Sequence, residues 1–361
     1  MQNSEDSKIE LIETKDNYQI NPIGLFSLKR ALISYFSTYE GIMRNITIRN
    51  SDDELNAYPS SYFEYYIDCI ILFHHFFELT IKDLLAHDSE LLIITYKNSK
   101  SIEPLYNLIH KKNTNTDKLN TVEFSEALQR IKILADKIYS DGKFNFIANT
   151  QNYESLNKLN NYRNMVLHRG RTILKFTELD CFIGKNILPI IQEIFEHRYY
   201  EGLEKKWKYP PLHCKIDPIE EIINEFKSPN PNFKKIALLK EMGRASYKQP
   251  QNSKAWGKIL EKHKKSVQDK ILAMAHFESS MPKELLPDYM DTCPVCGKTS
   301  IITFEDSYYD YDETDELINN YQEWIASIKC VWCSYELDCA YIGDISNFGL
   351  AGLKNYFKNN N

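Results

Sequence analysis

A mainly helical protein with a small β-rich end is what this sequence predicts, and three observations carry that prediction. Apolar residues recur at three- and four-residue intervals through most of the first two hundred positions, the period of an amphipathic helix. Glycine and proline number only 12 and 13 in 361 residues, too few for the many turns of an all-β chain. Past residue 288 the helical period gives way to short alternating runs around paired cysteines. With 43% hydrophobic and 26% charged residues the chain has material for a full core. At about 150 residues per domain the length predicts two or three domains. The expected division is a helical bundle over 20–205, a basic helical region over 206–287 and a small β-rich domain over 288–345.

The elements follow in order. Leu25 to Ile46 carries Leu25, Leu28, Leu32, Ile33, Phe36 and Tyr39 at helical spacing, and the polar break RNSDDELNAYPS ends it. Ser61 to Ala86 is the most apolar helix and is expected at the centre of the bundle. Residues 87–120 are mixed and end in a polar loop. A third helix spans 122–140, closed by Asp141-Gly142. A fourth spans about 152–169, with a stripe at Tyr153, Leu156, Leu159, Tyr162 and Val166 and Gly170 as its stop. A fifth covers about 172–200. Trp207 to Pro218 reads as a linker or domain edge, and 219–285 as further helices broken at Ser228-Pro-Asn-Pro231 and Gln249-Pro-Gln-Asn252. The runs SIITFED and WIASIKCVW near the end alternate as strands do.

No apolar run approaches the roughly 18–20 residues that cross a bilayer, and the acidic N-terminus lacks the plan of a signal peptide, so the cytosol is the expected compartment. Net charge is −6, yet its distribution is lopsided. Residues 226–275 hold twelve Lys/Arg against Glu241, Glu261 and Asp269, a balance of +9, whereas 305–316 hold seven carboxylates and no base. One face for polyanions and another that repels them is the reading this favours; a solvated lysine-rich helix surface is the bland alternative.

Of the eight cysteines, Cys293-Pro-Val-Cys296-Gly and Cys330-Val-Trp-Cys333 stand apart. Two C-x-x-C knuckles present four thiolates to one tetrahedral zinc, with Gly297 easing the first turn. The gap of 33 residues exceeds the usual ~15–20, and the acidic stretch within it reads as an inserted loop. Disulfides or unrelated thiols are the alternatives, and Cys339 is a further candidate ligand. With all four positions taken by sulfur, such a zinc is structural rather than catalytic.

The second constellation is Asn160-Asn-Tyr-Arg163-Asn164-Met-Val-Leu-His168-Arg169-Gly-Arg171, in which three of the nine arginines fall within nine residues. Asn164 and His168 share a helix face at i, i+4. Histidine exchanges protons near neutral pH, and arginine clamps phosphate and the charge that develops on its oxygens. The set suits cleavage of RNA by its own 2′-hydroxyl, and no carboxylate cluster nearby suits Mg²⁺. The alternative is that His168 and Arg169 only complement the negative end of a helix dipole. There is no phosphate-binding Gly-rich loop and no dinucleotide turn, so NTPase, kinase and dehydrogenase classes have no foothold.

Arg163-Asn164-x3-His168 on a late helix of an all-helical bundle resembles the R-N-x3-H motif of the HEPN (higher eukaryotes and prokaryotes nucleotide-binding) superfamily. Glu78-Leu-Thr-Ile-Lys82 on the second long helix is similar to the E-L-x-x-K signature of many members. The resemblance covers about residues 20–200. It implies a metal-independent endoribonuclease, with Arg163, Asn164 and His168 catalytic and Glu78 and Lys82 supporting. It also implies a homodimer acting on RNA as a bacterial antiviral-defence or toxin effector, met by an antitoxin or trigger protein. One motif supplies one imidazole, whereas acid–base cleavage needs two proton-transfer groups, so a dimer through 152–171 is expected to join two sets. The competing expectations are a non-catalytic nucleic-acid- or protein-binding adaptor and a zinc-ribbon transcription regulator.

Overall fold

The computed structural model describes residues 22–42, 58–95, 106–107, 109–110, 120–139, 141–170, 173–247, 291–312, 317–330 and 332–357. Helix α1 (Pro22–Ile42) turns Leu25, Leu28, Leu32, Tyr35, Phe36 and Tyr39 inward and leaves Lys29 and Arg30 outside. It lies along α2 (Ser60–Asp88), which at 29 residues is about 44 Å long. The α2 residues Tyr62, Tyr66, Ile70, Phe73, Phe76, Phe77, Ile81 and Leu84 are buried across a face too broad for a surface helix. Each large apolar side chain so buried contributes about 1.5–3 kcal/mol. The central place expected for this helix is the one it takes.

Helix α3 (Phe124–Ile133) and α4 (Thr150–His168) close over α2, with a single-turn helix, Asn145–Ala148, between them. Two expected helices are interrupted. The one over 122–140 passes into a π turn at Leu134–Ile138. The one over 172–200 consists of α5 (Phe176–Phe182), a π turn (Ile183–Ile187) and α6 (Leu188–Glu196). A π turn adds a residue to the helical repeat, so the apolar stripe can stay on the core, and periodicity over a long window does not register it.

The segment 207–218 is not a linker. Trp207, Tyr209 and Leu212 are buried in the core, and the Tyr247 hydroxyl donates to the Trp207 carbonyl at 2.8 Å. Helix α7 (Pro218–Glu225) is capped by the Asp217 carboxylate, which accepts from the Ile219 amide. In α8 (Phe233–Tyr247) every residue from Ile236 to Ala245 is buried, Lys240, Glu241 and Arg244 included. Part of the basic stretch is thus internal. Lys240 is paired with Asp180 at 2.6 Å and donates to Thr38 Oγ1 at 2.6 Å, and Arg244 forks onto Glu241 with two bonds of 2.6 Å. Lys235 meets Glu225 at 2.9 Å. Buried ammonium and guanidinium groups need partners, so Lys240 and Arg244 serve the core rather than a polyanion, while Lys235 is half-buried in a surface ion pair. The other seven basic residues of the stretch, Lys248 to Lys270, lie outside the described residues.

The last part is a four-stranded antiparallel sheet in the order β1 (Asp291–Thr292), β2 (Thr299–Asp312), β3 (Leu317–Cys330), β4 (Glu336–Asp338). Register runs from Ile301↔Cys330 to Asp312↔Leu317, with bulges after Phe304 and Tyr308. The acidic stretch expected as a loop is therefore strand as far as Asp312. Tyrosines 308, 309 and 311 favour extended backbone, and pairing with 317–325 outweighs the repulsion of neighbouring carboxylates. β1 and β4 cover only the cysteine end, so the outer halves of β2 and β3 form a two-stranded arm. One hydrophobic core runs unbroken from Leu25 through the cysteines to Phe357.

Candidate active site and metal centre

Helix α4 begins on Asn149, whose side chain accepts from the Asn152 amide at 2.9 Å. Leu156 and Leu159 are buried, and the Tyr162 ring meets Phe182 edge-on at 4.9 Å, which fixes the rotation of the helix. The motif then falls on the outer side. Arg163 and Asn164 are half-buried, and Arg163 Nη1 donates to Asn164 Oδ1 at 3.0 Å. His168 is exposed on the last turn, and Gly170, at φ +58°, ends the helix. An open cleft of about 590 Å³ brings Arg163, Asn164 and His168 together with Glu123, Asn161, Met165 and Arg169. Arg171 lies outside the described residues.

Behind the cleft stands α2. Lys82 Nζ donates to Glu78 Oε1 at 2.7 Å, as an i, i+4 pair should. One turn earlier, His74 Nε2 meets Asn160 Oδ1 at 3.0 Å, so the ring carries its proton on Nε2 and donates. Its Nδ1 is 3.9 Å from Glu78 Oε2, and its ring lies 4.4 Å from that of Phe124. Burial pulls the basicity of His74 below its ordinary value; Asn160 and Glu78 oppose that pull and Arg163 adds to it. His74 and Asn160 thus pin the motif helix to the Glu78–Lys82 helix one turn before Arg163. His75, its neighbour, faces Ser27 Oγ at 2.8 Å. Both imidazoles of this adjacent pair are thus hydrogen-bonded within the fold.

One contact and one residue of this neighbourhood escaped the sequence. Asn160 and His74 meet across 86 residues, and no local pattern announces such a contact. Glu123 reaches the cleft from the turn before α3, where it reads as one more helix-start carboxylate.

The four predicted cysteines converge. The sulfurs of Cys293, Cys296, Cys330 and Cys333 all lie within 4.8 Å of one another. Cys293–Cys333 and Cys296–Cys330 are 3.7 Å apart, far beyond the ~2.05 Å of a disulfide. The quartet can hold one metal ion. Each knuckle is the same tight turn: Gly297 N donates to Cys293 O at 2.9 Å, and Ser334 N to Cys330 O at 3.0 Å. Gly297 has φ +71° and Ser334 φ +60°, so the second knuckle bears with serine what the first gives to glycine. Arg244 holds that serine, donating to its carbonyl and at 3.3 Å to its hydroxyl. Cys339 opens a one-turn helix, Cys339–Ile342, and is not part of the quartet.

No protein-family model matches this chain, and neither a curated protein nor a solved structure is significantly similar to it. Among the described residues no helix is long and apolar enough to cross a membrane.

Proposed function

We propose that this protein is a metal-independent endoribonuclease of HEPN type that cleaves RNA through its 2′-hydroxyl. One observation carries the reading: Arg163, Asn164 and His168 line one open cleft at the end of a helix anchored on the Glu78–Lys82 helix. Histidine moves a proton, Arg163 stabilises the charge that builds on the phosphorus-bound oxygens, and Asn164 holds both Arg163 and the scissile group. Arg169 adds a second guanidinium for the flanking phosphate.

The cysteine quartet would hold structural zinc. A tetrahedral Zn²⁺ with bonds of about 2.3 Å sets its sulfurs about 3.8 Å apart, and the two 3.7 Å separations match that edge. The expected assembly is a homodimer. Leu167 is 47% exposed beside His168 on α4 and Ile133 is 42% exposed on α3, apolar area that a second copy would cover. An effector role in bacterial defence or growth control, with an antitoxin or trigger protein, follows from the same reading.

The test is direct. Purified protein in EDTA should leave fragments ending in 2′,3′-cyclic phosphate. His168→Ala should lose roughly 100-fold or more in rate while still binding RNA, and Arg163→Ala should lose rate and some affinity. Intact RNA in the presence of fully metallated protein would leave the adaptor reading in its place.

A further inference from the structure

The cleft at the end of α4 holds one proton-transfer group that the motif does not, and it is Glu123. This residue precedes the first turn of α3, yet its side chain makes no capping hydrogen bond to that helix. Among the described residues neither Glu123 nor His168 has a side-chain hydrogen bond or an ion pair, and both are exposed. Elsewhere in this fold carboxylates near cations are paired, as Glu78–Lys82, Glu126–Arg130 and Glu241–Arg244 show. A carboxylate and an imidazole left uncommitted in one cleft, beside two guanidiniums, are disposed toward something that enters it.

Their placement has a direction. Phe124, the residue after Glu123, touches the His74 ring that binds Asn160. Glu123 therefore stands at the Asn160–Asn161 end of the cleft. His168 stands at the other end, seven residues or about 10 Å further along α4 from Asn161. Arg163 and Asn164 lie between. In-line displacement at phosphorus needs its base and its acid on opposite sides of the phosphate, and this cleft offers a different group on each side.

We propose that Glu123 and His168 of a single chain are the acid–base pair of the cleavage, Glu123 as base and His168 as acid; the assignment rests on the ribonuclease reading above. The Glu123 carboxylate takes the proton of the 2′-hydroxyl as the 2′-oxygen bonds to phosphorus. The bond from phosphorus to the 5′-oxygen breaks, its electron pair stays on that oxygen, and the His168 imidazolium protonates it. The products are a 2′,3′-cyclic phosphate and a 5′-hydroxyl. Water returns the proton from Glu123 to solvent and restores that of His168. Arg163 faces the phosphate from the middle of the cleft, and no second imidazole is required.

The experiment compares wild type, Glu123→Gln and His168→Ala on two RNAs, one natural and one with sulfur in place of the 5′-oxygen at the scissile bond. Thiolate leaves without protonation, so it replaces a general acid but not a general base. Glu123→Gln should cut the natural RNA about 10²–10⁴-fold more slowly and stay slow on the sulfur substrate. His168→Ala should be equally slow on the natural RNA and recover on the sulfur substrate. Glu123→Gln should bind an uncleavable 2′-deoxy RNA no more weakly than wild type, since a negative charge is removed. Glu123→Gln cutting at the wild-type rate would overturn the assignment and leave the ribonuclease reading intact. Rescue of Glu123→Gln instead of His168→Ala would overturn the roles. A wild type that cuts neither RNA would overturn both readings together.

Discussion

His74 shows how one buried side chain ties sequence, packing and site together. Its Nε2–H holds Asn160 at 3.0 Å, and burial disfavours the charged ring. The folded chain thus takes up a proton there less readily than the unfolded chain, whose histidine keeps the ordinary value near 6.5. Because the unfolded state then binds more protons, this group's contribution is complete above about pH 6.5 and is lost as the pH falls below it. His197, lowered by burial and by Arg198, acts in the same direction. Urea midpoints should therefore fall between pH 7 and pH 5. His74→Gln, which keeps a neutral donor for Asn160, should flatten that fall and retain cleavage. His74→Phe should keep the fold but lower kcat with little change in KM, because Arg163 loses its anchored helix. A pH slope unchanged in His74→Gln would remove this histidine from the account. At this scale the sequence was legible where covalent spacing alone sets geometry. Asn164 and His168 share one helix face with Arg163 one position round, and each cysteine pair shares one knuckle. Glu123's place in the cleft and the contact of Asn160 with His74 were illegible because only tertiary packing creates them.

Among elements, the cysteine module shows the sharpest dependence of a turn on its residues. A Cβ on Gly297 would come within 2.8 Å of His213 Nδ1, and the backbone there has φ +71°. Gly297→Ala thus meets both steric and conformational penalties. It should lower the melting temperature by several degrees, the shift that about 1–2 kcal/mol gives. Cys293→Ser and Cys330→Ser should each lose metal by elemental analysis, from about one zinc per chain. The loss should travel, because Arg244 and Glu241 of α8 bind the second knuckle: the Glu336 amide donates to Glu241 Oε1 at 2.7 Å. Stripping the metal should then loosen α8 in hydrogen exchange while α2 stays protected. Equal protection of α8 with and without metal would show the module to be independent. The hairpin arm is the element least well anticipated. Its carboxylates pointed to a loop, while the signal for strand lay in the tyrosines between them and in partners 5 to 20 residues away.

At the scale of the whole molecule, the first question is assembly. If each chain carries both Glu123 and His168, mixing wild type with excess His168→Ala should depress activity only in proportion to the dilution, even where sedimentation gives a dimer. A steeper loss would mean that the two histidines of a dimer act together, as the motif alone suggests.

The second question is how a chain of net charge −6 would hold RNA. The summed balance of +9 over 226–275 overstates what is on offer, because the fold withdraws part of it. Lys240 and Arg244 are buried against Asp180 and Glu241, and Lys235 is 15% exposed between Glu221 and Glu225. An ammonium already neutralised by protein carboxylates releases few counterions when a phosphate arrives, so it adds little to binding. Any polyanion contact from this stretch then falls to the exposed Lys227 and Lys234 and to the lysines from Lys248 onward. Reversing Lys258, Lys262 and Lys265 to Glu should weaken binding of an uncleavable RNA at 50 mM salt. It should also flatten the plot of log affinity against log salt by about 2, since each phosphate contact contributes about 0.7–0.9 to the slope. Lys235→Gln should leave that slope where it is, although it breaks two ion pairs. A slope that responds to Lys235 and ignores the other three would place the RNA on the folded face of α8.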